Sequence, residues 1–463
     1  MSLMEKNTAK VFTSGQPLSA YLNETFSCTC GREHYAPLQQ VVIGAGVLEQ
    51  LADILADRGF RHPFLVSDAI TYRVAGEACA AVLERASIPY KIVQLQHTGF
   101  DEATLGELLL QMPKACDVCV AVGAGSINDI TRLFSYKMGV SFITVATAAS
   151  MDGFASGVAA IHAEGIKVTV EGQTPLVIVG DTVILKNAPY KMIAAGLGDL
   201  LGKITCLCDW KLSKSINNEH YCEQTAELIG NCARDVLKNA EKAKDRDEEI
   251  VGQIMEGLVL AGVAMSLYGN SRPASGCEHH ISHYWEMLFP QKGISPSLHG
   301  TQVGIGTVLI LKLAEKFLGL SVDFDAARSA ALRYDPRCWE QQMRSAYGTA
   351  AEGIIRIEET EKKNETAHRL MRIARIEENW AEICGILAEL PPAGAVAKTL
   401  QGLGAPCMPK EIGVDAALLR DTLLHCKEVR SRYTFLQMLW DLDLLDTLVE
   451  EIVEELYGSK GER

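Results

Sequence analysis

DVCVAVGAGSINDI, residues 117–130, is the stretch that decides the fold. Asp117 to Gly123 is an apolar run that alternates like a buried strand, and the residues after the glycines carry helical spacing. Gly123 and Gly125 permit a tight turn with close backbone approach. A strand that turns through glycine into a helix is the first half of a βαβ unit. Ser126 is placed to cap that helix, whose first N–H groups then face an anion such as a pyrophosphate. The pattern is GxGSxxD and not the dinucleotide fingerprint GxGxxG, and it comes late in its domain, so alone it establishes only a glycine turn.

Outward from this turn, the same alternation extends across the first part of the chain. Short apolar runs lie at 40–44, 62–68, 90–96, 117–123, 140–147 and 175–180, with helix-period stretches such as 47–58 and 75–86 between them. This predicts a mainly parallel sheet with helical crossovers. IKVTVEG (166–172) alternates apolar and polar residues and predicts a hairpin strand at an edge. After about residue 189 the strand signals fade and helical segments take over, at 190–213, 222–242, 248–268, 276–288, 304–318 and beyond. The expected organisation is α/β plus all-α: a dinucleotide-binding domain over 1–188, then a helical domain over 189–463, with the active site in the cleft between them.

Composition excludes some functions. The chain has 463 residues, 48% of them hydrophobic and 22% charged, with a formal net charge of −14. An acidic surface argues against a nucleic-acid partner or an anionic membrane. The apolar run 257–268 falls short of the ~20 residues that span a bilayer. MSLMEKNTAK has no apolar core of an export signal, and fourteen cysteines then read as reduced thiols of a cytoplasmic protein. Cys116 and Cys119 have CxxC spacing but lie on the apolar run, which predicts a buried strand. CTCGREH (28–34) could clamp a metal through Cys28, Cys30 and His34, although a tight turn between short strands is the expected reading.

Three further stretches carry chemistry. TVATAASMDGFASG (144–157) is rich in small and hydroxyl residues at a strand's end, where Thr144, Thr147, Ser150 and Ser156 can meet a nucleotide. AAGLGDLLGK (194–203) puts Asp199 inside a glycine-punctuated apolar helix, a costly place for a carboxylate without a partner. EHHISHYWEMLFPQKGISPSLHG (278–300) holds His279, His280, His283 and His299, four of the eleven histidines. Two histidines and one carboxylate leave a divalent ion open positions for substrate. On a helix His279 and His283 share a face, while His280 is turned by about 100°.

GAGSINDI, TAASMDGFAS, GLGDLLGK, SRPASGCEHHISH and SLHG, in that order over about 40–310, resemble the glycerol-1-phosphate dehydrogenase family. That family belongs to the iron-type alcohol dehydrogenase and dehydroquinate synthase superfamily. The resemblance implies a Rossmann-like N-terminal domain and a helical C-terminal domain. It assigns the pyrophosphate to Gly123, Ala124, Gly125, Ser126 and Ile127, and the nicotinamide side to Thr147, Ser150 and Ser156. Asp68 would meet the adenosine ribose, which favours NAD while leaving NADP open. It implies one divalent ion (zinc, nickel or iron) on Asp199, His279 and His299. Asp152, Asp199 and His283 would face the substrate, dihydroxyacetone phosphate or glycerol 1-phosphate, with Asp152 and His283 as catalytic groups and His283 as proton donor. Arg272, Lys203 and Lys292 are the cations near the motifs for its phosphate. A homodimer is the family expectation. The alternatives are a polyol dehydrogenase of the same superfamily and a dehydroquinate synthase-like lyase, the latter using a glutamate where this chain has Asp199.

Overall fold

Six of the apolar runs form one sheet in the computed structural model, which describes residues 10–97, 99–163 and 166–458. The N-terminal stretch read for an export signal lies almost wholly outside the described residues. The sheet runs in the order Gln40–Gly44, Val177–Asp181, Ser141–Ala146, Val118–Gly123, Pro63–Asp68, Lys91–Leu95. Every pairing in it is parallel. Both faces are covered, and the period of two shows which side chain goes where. Val118, Val120 and Val122 point into one core with Leu51, Leu55 and Leu83. Cys119 and Ala121 point into the other with Ile130, Phe134 and Phe142. Each fully buried Val or Leu contributes roughly 1.5–3 kcal/mol, so a residue slip along this strand would forfeit both cores at once. Cys119 is thus core, as the alternation indicated, and no disulfide joins it to Cys116.

The 166–172 alternation is a hairpin strand: Ile166–Glu171 pairs antiparallel with Val158–Ala163. Near the N-terminus three short strands, Lys10–Val11, Thr25–Ser27 and Glu33–Tyr35, make a separate sheet, with the 28–34 stretch turning between the last two.

The chain divides into two compact units, and not at one point. Met1–Gly196 with Cys222–Pro273 forms one, and Leu197–Tyr221 with Ala274–Arg463 the other. A single boundary after 188 was expected, because the helices Glu223–Asn239 and Glu248–Tyr268 look in sequence like those that follow. Both belong to the first unit, and the second packs closely there: a Cβ on Gly262 would meet Ala155 Cβ at 2.8 Å, and one on Gly180 would meet Met255 Cγ at 3.3 Å. Helical spacing marks a helix but not the layer it joins. Glu248–Tyr268 has the bounds expected of it, and at 21 residues the whole helix, unlike its apolar run 257–268, is long and apolar enough to cross a bilayer, but 78% of its most apolar window is buried inside the protein. It is a core helix. Among its described residues the second unit has helices and no strand, around a core that includes Trp285, Leu309, Leu419, Leu436 and Leu448.

Candidate active site

In the first unit the sheet's order reverses between Pro63–Asp68 and Val118–Gly123. From the first strand the chain winds to one edge, and from the second toward the other. Beyond the carboxyl ends of such a pair lies the crevice that doubly wound sheets use for nucleotides. Asp68 ends one strand and Gly123 the other, two residues past the paired Val66 and Ala121. Asp68 Oδ1 accepts the Ile70 and Thr71 N–H groups at 2.8 and 2.7 Å and so caps its own short helix.

The glycine turn is tighter than its sequence suggested. A Cβ on Gly123 would sit 2.4 Å from Ile127 Cβ, so no larger residue fits. The helix Gly125–Met138 starts early, with Ala124 in the cap position and extended (φ −103°, ψ −154°). Ser126 therefore does not cap it: Ser126 lies past that position, exposed in the first turn. No side chain caps this fourteen-residue helix, so its first N–H groups are left without a side-chain partner and could receive an anion. Ile127 is buried in the core and can offer a ligand only its backbone.

The hydroxyl residues separate. Thr144 is fully buried in mid-strand and donates to Asn128 Oδ1 at 2.6 Å, tying sheet to helix, which removes it from the loop contacts expected of it. Thr147 donates its N–H to the Gly123 carbonyl at 3.1 Å and joins the two loops. Ser150 is buried beside it in sequence, while Ser156 accepts the Val158 N–H at 3.0 Å at the hairpin's start. Asp152 is half-buried at the head of the Gly153–Ala155 turn. What holds this loop was missed in sequence. Arg132, completely buried, donates to the carbonyls of Gly153 (2.6 Å), Phe154 (2.9 Å) and Val158 (2.9 Å). Its only signal was a charge on an otherwise apolar helix face.

In the second unit, glycines set the geometry. A Cβ on Gly198 would lie 2.4 Å from the Gly300 carbonyl oxygen, and one on Gly202 would lie 2.6 Å from Val303 Cγ1. The Tyr190–Asn217 and His299–Leu318 helices thus touch almost backbone to backbone. Gly306 admits the Glu278 carbonyl in the same way, at 2.8 Å from a Cβ. Three helices pressed this closely bring Asp199, His279 and His299 together, with ligand atoms all within 4.8 Å of one another. His299 is the first residue of its helix, which begins five residues before the expected start at 304.

The outer partners aim the ligands. His279 Nδ1 lies 2.7 Å from Glu278 Oε1, which leaves Nε2 toward Asp199, 3.5 Å from Oδ1. Glu278 is fixed by the Gly276 N–H (2.8 Å) and the Thr205 hydroxyl (2.8 Å). His299 Nδ1 is held at 3.2 Å by both Glu286 Oε1 and Ser282 Oγ. A carboxylate on the far nitrogen is how proteins fix the tautomer of a metal-bound histidine. Two imidazole nitrogens and one carboxylate, each oriented from behind, fit a divalent ion. Glu278 and Glu286 escaped the sequence reading because an acidic residue on a helix ordinarily means a solvated face.

Charge supports the arrangement. Burial would raise the Asp199 carboxyl, but the Lys203 ammonium at 2.9 Å and His279 hold it well below the usual carboxylate range. Lys203, one of the cations considered for phosphate, is therefore the buried counter-ion of Asp199 and also donates to the Ala274 carbonyl. Lys292 is exposed on its helix's last turn, and Arg272 is buried in the other unit. His283 lies with its ring centre 5.8 Å from that of His299, and its Nδ1 is 3.1 Å from Glu286 Oε2. Desolvation brings His283 down to about 4 despite that carboxylate, so it is neutral near pH 7. His280 is fully buried on the turned-away side with neither ring nitrogen hydrogen-bonded.

Comparison with known proteins gives the same family from outside. Residues 42–189 match the family model for iron-containing alcohol dehydrogenases. The chain is 39% identical over 292 residues to a glycerol-1-phosphate dehydrogenase [NAD(P)+] of Halalkalibacterium halodurans, covering 62% of this chain and 73% of that one. It is 31% identical over 434 residues to the protein of the same name from Geobacillus stearothermophilus, covering 92% and 98%. A solved sulfoacetaldehyde reductase of Bifidobacterium kashiwanohense, in complex with NAD+, shares the fold with a TM-score of 0.55 at 17% identity, over 91% of this chain and 98% of that one. With a near full-length relative above 30% identity, the chain belongs to the glycerol-1-phosphate dehydrogenase family of iron-containing alcohol dehydrogenases.

Proposed function

We propose that this protein reduces dihydroxyacetone phosphate to sn-glycerol 1-phosphate, reversibly, with NADH or NADPH and one divalent ion. The observation that carries the reading is the Asp199–His279–His299 cluster, whose two histidines are oriented from behind by Glu278 and Glu286. When bound, the ion supplies Lewis-acid polarisation of the substrate's C2 carbonyl, and the dihydronicotinamide supplies the hydride. Zinc, nickel and iron(II) all accept this donor set.

The chain's own groups do the rest. The uncapped N–H groups at Gly125, Ser126 and Ile127 receive the pyrophosphate, and the Gly123–Thr147 hydrogen bond keeps the two loops at one spacing. Asp68 at the neighbouring strand end suits a ribose diol and disfavours a 2′-phosphate, so NADH is the better cofactor. Arg132 holds the Asp152 loop in one conformation from below. Asp152 contacts substrate. His283, neutral at rest and hydrogen-bonded to Glu286, takes up a proton from solvent and relays it to the substrate oxygen, which completes the alcohol.

The test is NADH absorbance with dihydroxyacetone phosphate on metal-replete protein, followed by treatment of the product with an enzyme specific for sn-glycerol 3-phosphate. Net NADH consumption and a product inert to that enzyme are expected. No consumption, or consumption only with unphosphorylated dihydroxyacetone, would overturn the proposal.

A further inference from the structure

A second group of metal-ligating side chains lies wholly in the first unit, outside the residues matched by the family model and away in sequence from every residue used above. Cys28, Cys30, His34 and Cys222 place their ligand atoms within 4.8 Å of one another, although Cys222 is 194 residues from Cys28. The contacts have the size of a coordination tetrahedron. Cys28 Sγ and Cys222 Sγ are 3.7 Å apart, while His34 Nε2 is 3.3 Å from Cys30 Sγ and 3.4 Å from Cys222 Sγ. Around a zinc ion with Zn–S of about 2.3 Å and Zn–N of about 2.0–2.1 Å, tetrahedral edges are about 3.8 Å for S···S and about 3.6 Å for S···N. A disulfide is not the reason for this closeness, since 3.7 Å is well beyond the S–S bond of about 2.05 Å.

The supports are those of a ligand set. His34 is 1% exposed, and its Nδ1 lies 2.6 Å from the Leu267 carbonyl. That bond takes the ring's proton, so the Nε2 lone pair faces the sulfurs. Cys28 Sγ receives the Cys30 N–H at 3.5 Å, and Cys222 Sγ receives the Thr225 hydroxyl at 3.2 Å, both favouring thiolates. The backbone suits it too: a strand–turn–strand presents Cys28, Cys30 and His34, with Gly31 at φ +83° in the turn, and Cys222 sits at the N-cap of the Glu223–Asn239 helix.

We propose that Cys28, Cys30, His34 and Cys222 bind one zinc ion in a closed, structural Cys3His site. Four protein ligands leave no position for substrate. The ion fastens the N-terminal sheet, whose strands have only two or three residues and are too short to persist alone, to the Glu223–Asn239 helix. Through His34 and the Leu267 carbonyl it also fixes that sheet to the Glu248–Tyr268 helix.

The active-site cluster contains no sulfur and the other candidate group, Asp209, Cys277 and Glu278, contains one, so a zinc with three sulfur neighbours is specific to this site. Zinc-edge X-ray absorption on the full-length protein, purified from zinc-replete cells, is expected to show a sulfur shell at about 2.3 Å. A shell of oxygen and nitrogen alone would overturn the proposal. His279→Ala, which empties the other cluster, should retain one zinc per chain; a metal-free His279→Ala would equally overturn it. Cys222→Ser should lose one zinc equivalent and weaken the sulfur shell, and an unchanged spectrum and content would contradict the assignment. Should Cys222→Ser fail to fold, the wild-type spectrum and the His279→Ala content still decide.

Discussion

Asp199 and Asp441 are both completely buried carboxylates of the second unit, each beside a cation, and they are used in opposite ways. Asp441 takes two hydrogen bonds of 2.7 Å from Arg372 and one of 2.9 Å from the Tyr433 hydroxyl. Arg372 continues to the Lys363 carbonyl, and Lys363, Lys427 and Asn364 converge on Glu428. That network closes on itself: the Arg372 side chain is 5% exposed. Asp199 has its cation on one side and two imidazoles on the other, and the outer histidine side chains, His299 and His283, are 24% and 29% exposed. Burying a charge demands a partner in either case. What separates the two is the set of candidate ligand atoms that converge beside Asp199, and burial by itself marks nothing.

The largest effect expected from this contrast is in Asp199→Asn. It should lose one metal equivalent per chain and turnover on the order of 10³-fold or more, since the Lewis acid supplies several kcal/mol of barrier lowering. Some stability should go as well, because Lys203 is left as a buried charge. Asp441→Asn leaves Arg372 in the same position and should cost about 3–5 kcal/mol of unfolding free energy. Its metal content and KM should not change. If Asp441→Asn loses metal, or Asp199→Asn keeps it, the two carboxylates have not been told apart.

A smaller effect sharpens the same contrast. Glu278→Gln keeps the shape behind His279 and removes the charge, so metal affinity should fall by about 10–100-fold, read by competition with a chelator. Smaller again is an effect of pH. Burial would raise the Glu428 carboxyl, but Lys363 and Lys427 hold it well below its ordinary value. Its folded pKa is depressed, so its contribution is present above the unfolded value of about 4.3 and is lost as pH falls below that. Denaturant unfolding measured across that range should show a shallower acid-side decline in Glu428→Gln than in wild type.

The fold was legible where local chemistry and tertiary structure agree. Five of the six parallel strands fall within the apolar runs and the sixth overruns its run only by Asp181, while the hairpin strand Ile166–Glu171 follows its alternation and its partner Val158–Ala163 was not read. The helices Glu223–Asn239 and Glu248–Tyr268 were recognisable as helices, but the unit they join was not, because for the second of them that depends on Gly262 fitting Ala155 and no pattern along the chain encodes it. The three groups proposed as metal ligands were legible from their motifs. Glu286 was not, since a carboxylate's partner is decided by a helix that arrives from elsewhere. Ser126 misled for a local reason: Gly123 packs so closely on Ile127 that the helix starts a turn position early, and Ala124 takes the cap. The pairing of Cys222 with the 28–34 turn was beyond reach for the same reason as Glu286, at much greater separation.

The central claim is that His279, and not its neighbour His280, completes the catalytic ion's ligand set. The most direct measurement is metal content per chain for His279→Ala and His280→Ala, prepared side by side with wild type. His280 faces away with both nitrogens unbonded, so His280→Ala should hold as much metal as wild type and turn over normally apart from a modest loss of stability. His279→Ala should hold one equivalent less and be inactive. Metal lost from His280→Ala and kept by His279→Ala would contradict the account.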